Sequence, residues 1–92
     1  MKLSKIQEVG SSRMATLKSD YDTICKKVFK DNVTKLDDPY KVKASWGIED
    51  LETKRKAFIW CYKYRNKRDC QAWSLSGDIS LIEDIFGKEN VE

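Results

Sequence analysis

The sequence predicts an α+β domain: a helix, a three-stranded antiparallel sheet and a second helix (αβββα), with both helices on the aromatic face of the sheet. Three observations predict it. Apolar residues recur at helical spacing in two segments, 21–28 and 79–86. Between them, from Lys41 onward, the period drops to two. Polar breaks rich in Asn, Asp, Ser and Gly divide the chain between those helices.

Residues 1–14 open the chain. Leu3, Ile6 and Val9 stand three apart before Gly10-Ser11-Ser12. That pattern gives at most two helical turns, too short to hold alone in water. The expectation is a flexible or partner-docked N-terminal arm, followed by one α+β domain over residues 15–87 and an acidic tail at 88–92.

The first helix is expected over residues 20–30. Ser19 is placed to cap it, with Asp22 at the reciprocal position. Tyr21, Ile24, Cys25 and Val28 form its apolar stripe, while Lys26, Lys27 and Lys30 suit the negative end of the dipole. The sequence Asp37-Asp38-Pro39 then reads as a turn.

Val42, Ala44, Trp46 and Ile48 alternate with Lys41, Lys43, Ser45 and Gly47, which predicts a half-buried strand. The second strand, residues 55–64, is apolar on both parities: Phe58, Trp60, Tyr62 and Tyr64 on one, Ala57, Ile59 and Cys61 on the other. Asn66-Lys67 makes the next turn, and residues 71–76 form the third strand with Trp73 and Leu75 on one parity. Folding about Glu52 and about Asn66-Lys67 sets Trp46 against Phe58 and Trp60 against Trp73. The second helix follows Asp78, with Ile79, Ile82, Ile85 and Phe86 on its apolar side and Gly87 as its stop.

This register places the aromatic residues under the helices, because large rings dominate small cores. The opposite face is then expected to stand open, with Ile59 and Cys61 at its centre and Lys41, Lys43 and Lys63 around it. Exposed apolar sheet surface marks protein contact more often than nucleic-acid contact. The expected partner is therefore a protein, with homodimer formation through the same face as a variant. The alternative is a nucleic acid or nucleotide held by Lys41, Lys43, Lys63 and the basic turn Arg65, Lys67 and Arg68.

Charge distribution supports that alternative more than net charge does. The chain has 92 residues and a net charge of only +3. Yet residues 53–68 hold seven Lys or Arg and no acid, while residues 78–92 hold five acids and one Lys. Clustered cations can contact phosphates without reading sequence. The backbone N–H groups where residues 74–78 enter the second helix form a weaker candidate anion site, and Asp78 opposes that use.

Composition also bounds the chemistry. Three cysteines at wide spacing and no histidine exclude the usual zinc constellations and the commonest general base. The carboxylate pairs are sequence neighbours on turns and helix faces, which is ordinary surface charge. Cys61 beside Lys63 has no accompanying base. No enzyme activity, cofactor or metal is expected. An odd cysteine count without a signal-like apolar run points to the cytoplasm. No segment nears the roughly 20 apolar residues of a membrane span, so no membrane partner is expected.

Two resemblances follow from these pieces. The helix, three strands and helix resemble the order in double-stranded-RNA-binding domains, as an analogy of topology alone. That family has a lysine cluster at the start of its second helix, where this chain reads Gly77-Asp78-Ile79-Ser80-Leu81. The second likeness covers about residues 20–86. The pieces Asp20-Tyr21-Asp22, Lys41-Val42 with Trp46-Gly47-Ile48, Phe58-Ile59-Trp60-Cys61-Tyr62-Lys63 and Trp73-Ser74-Leu75-Ser76-Gly77 resemble small accessory proteins of tailed phages and large DNA viruses. The chain departs at Ser76, where a second glycine is usual. The resemblance implies a viral accessory protein that binds a host or viral protein in the host cytoplasm, and it implies no catalytic residue.

Overall fold

Among the described residues five strands, not three, build the sheet. The computed structural model describes residues 1–6, 13–29, 42–62 and 69–92, with the backbone only for Val42, Lys43 and Tyr62. The elements are β1 (Leu3–Lys5), β2 (Ala15–Lys18), α1 (Tyr21–Lys27), β3 (Val42–Asp50), β4 (Lys56–Tyr62), β5 (Ala72–Gly77) and α2 (Ile79–Phe86), with a 3-10 turn at Lys88–Asn90. Every pairing is antiparallel, and the lateral order is β1-β3-β4-β5-β2. The class is α+β, but the αβββα layout and its analogy with double-stranded-RNA-binding domains fall away.

Both added strands come from the start of the chain. Instead of turning as a helix, Leu3, Ser4 and Lys5 pair with Asp50, Glu49 and Ile48. Ile6 continues the ladder by donating its N–H to the Gly47 carbonyl at 3.0 Å. Gly47 is required there, because a Cβ built on it would collide with the Ile6 carbonyl oxygen. β2 closes the opposite side of the sheet, with Ala15 facing Leu75 and Leu17 facing Trp73. The C-terminal residues are ordered against it: Val91 bridges Leu17, and Thr16 and Glu92 exchange two backbone hydrogen bonds of 2.8 Å.

The β3–β4 register differs by one residue from the sequence expectation. Trp46 faces Ile59, not Phe58, and Trp60 faces Ser74, not Trp73. A slip of one residue reverses the faces of a whole strand. The cause lies in the turn. Asp50 donates its N–H to the Arg55 carbonyl, and Lys54 donates to the Asp50 carbonyl while adopting φ 64°. That closes four residues, 51–54, between the strands and moves the fold point past Glu52.

The core therefore lies on the other parity of β4. Trp46, Ile59, Leu75 and Ala15 form one row across four strands. Ala44, Ile48, Ala57, Cys61 and Trp73 share that buried cluster, and both helices cover it through Tyr21, Ile24, Leu81, Ile82 and Phe86. Phe58 and Trp60 lie on the reverse face, so the expectation of helices on the aromatic face of β4 is overturned. That reverse face is itself largely covered, with Trp60 only 9% exposed and Ser45 and Ser76 buried.

Asp20, one residue later than expected, caps α1 by accepting the Thr23 N–H at 2.8 Å. The helix ends early, at Lys27, and Val28 donates its N–H back to the Ile24 carbonyl. Asp78 precedes α2 without a side-chain cap bond. Its carboxylate instead accepts the Lys56 N–H at 2.8 Å, which ties the helix start to β4.

Candidate functional site

The residues singled out in the sequence do not form one open face. Ile59 and Cys61 are fully buried in the core, with 0% of each exposed, because the register places their parity beneath the helices. The apolar centre of the expected binding face is thus the interior of the protein. Lys41, Lys63, Arg65, Lys67 and Arg68 lie outside the described residues, and Lys43 is described only as backbone within β3. The register still fixes where these segments leave the sheet. Val42 pairs with Tyr62, so Lys41 precedes and Lys63 follows two residues that face each other at one end of it.

At that same end the described residues form an open basin of about 680 Å³, lined by Lys18, Ser19, Asp20, Asp69, Gln71 and Ala72. β2 delivers Lys18, and the junction with α1 delivers Ser19 and Asp20. The segment entering β5 delivers Asp69, Gln71 and Ala72. The two walls are joined, since Ser19 donates its N–H to the Gln71 carbonyl at 3.1 Å. Trp73, from inside the core, donates its indole N–H to the Ser19 carbonyl at 2.8 Å and fixes the floor.

Charges around the basin are unequally committed. Lys18 is held by Glu92 at 2.6 Å. Hydrogen bonding from Thr23, by side chain and by backbone, holds the Asp20 carboxyl below its ordinary range. Asp69 and Gln71 are exposed, and their side chains engage no group among the described residues. Sequence reasoning missed this basin because its walls meet only through the β2–β5 pairing. The one signal available was the capping position of Asp20.

A second polar cluster sits at the opposite end of the sheet and is structural. The buried Asp50 carboxylate accepts the N–H groups of Glu52 at 3.1 Å and Lys2 at 3.3 Å, and the Thr53 hydroxyl at 2.9 Å. Burial pushes its carboxyl up, but the bonds from Thr53, Glu52 and Lys2 outweigh that and hold it low. Arg55 donates to Asp84 at 2.8 Å and to Ser80 at 3.3 Å, joining this turn to α2. Asp78 is similarly committed, its carboxylate accepting the Lys56 N–H.

Among the described residues, no group of three or more His, Cys, Asp or Glu side chains is placed to hold a metal ion, and no helix is long and apolar enough to cross a membrane. The described lining of the basin offers hydrogen-bond donors and acceptors. In comparisons with protein-family models, curated proteins and solved structures, nothing matches this chain.

Proposed function

We propose that this protein is a non-enzymatic binding module whose target is a nucleic acid, held through phosphate contacts by the basic residues between Tyr62 and Asp69. One observation carries the reading. Lys63, Arg65, Lys67 and Arg68 lie in sequence between Tyr62 and Asp69, and both of those residues stand at the end of the sheet that carries the basin. Lys41 adjoins the same end through Val42. A cation-rich segment joining two residues at the basin's end of the sheet suits a ligand that alternates phosphates with hydrogen-bonding groups. The expectation of a protein partner rested on an exposed apolar face, and Ile59 and Cys61 at its centre are interior residues.

The test is fluorescence anisotropy with labelled single-stranded RNA and DNA of twelve nucleotides, titrated between 50 and 200 mM salt. Four phosphate contacts give a log–log salt slope of about −3 on single strands. Combined Lys63→Glu, Arg65→Glu, Lys67→Glu and Arg68→Glu substitutions should abolish binding. Absent binding at 50 mM salt, or binding indifferent to salt and to these substitutions, overturns the reading.

A further inference from the structure

We draw no further inference here: the strongest candidate, the patch on the face of the sheet opposite the helices where the half-buried Phe58 stands beside the buried Trp60, carries nothing because no element among the described residues shows what covers it.

Discussion

Trp46 and Trp73 meet edge to face with ring centroids 5.3 Å apart, and each holds one end of α1. Trp73 donates its indole N–H to the Ser19 carbonyl before the helix, and Trp46 donates to the Phe29 carbonyl after it, both at 2.8 Å. A helix of seven residues is too short to persist alone. These two bonds and the buried Tyr21 and Ile24 keep it on the sheet.

Removing either donor should therefore loosen one helix end. Trp46→Phe and Trp73→Phe each leave a carbonyl without its partner and should each cost about 1–3 kcal/mol in urea unfolding. The double variant should show a coupling of about 1 kcal/mol, since the rings touch. Amide exchange should quicken at Val28 in the Trp46 variant, where the helix end is released.

Gly47→Ala tests the attachment of β1. The added methyl would collide with the Ile6 carbonyl oxygen, so Ile6 must leave its bond to the Gly47 carbonyl. Destabilisation of about 1–3 kcal/mol is expected, as for overpacking at any close-packed position. Hydrogen exchange should rise at Ser4 and Ile6 while Ile59 and Leu75 remain protected.

Acid should act through Asp50 and Asp20. Both carboxyls are held below the ordinary aspartate value of 3.8 in the folded chain. A depressed native value means that the unfolded state binds protons first, so stability is full above about pH 4 and is lost as pH falls further. Asp50→Asn should lower the urea midpoint at pH 7. The difference from the unmodified chain should shrink between pH 4 and pH 2, as measured by circular dichroism.

The thiols should divide by burial. Cys61 and Cys70 are wholly buried and Cys25 is half-buried, with no disulfide among them. Burial, and then the adjoining Cys61 thiol, push the Cys70 thiol far up, so it stays protonated and unreactive. In Ellman titration at pH 8, Cys25 should react in the native protein. The other two should report only on unfolding.

The longer elements were legible in the sequence and the short ones were not. β3, β5 and α2 declare themselves because Trp46 and Ile48, Trp73 and Leu75, and Ile82 and Phe86 repeat at the right period. β1 and β2 have three and four residues, too few to establish a period, and their partners are distant in sequence. β4 was visible as a strand, but its two parities are both apolar, so pattern could not choose its inner face. The 51–54 turn chose it, through a positive φ at Lys54 that no glycine announces. That one ambiguity moved Ile59 and Cys61 from a presumed surface to the core. The basin stayed hidden for a related reason: Asp20 and Asp69 are neighbours only once β2 lies beside β5.

The sheet is also assembled out of order. β1 and β2 precede β3, β4 and β5 in the chain, yet their neighbours are β3 and β5, which emerge much later. The hairpins that join β3, β4 and β5 close short loops and can form early, whereas the outer strands wait for long-range closure. Until they arrive, the flanks of β3 and β5 are bare ladders of N–H and C=O groups. A nascent or proteolytically shortened chain lacking the first strands would thus be self-adhesive, free to stack edge to edge with its own copies. In this protein β1 and β2 cover the edges of β3 and β5 that would otherwise be bare.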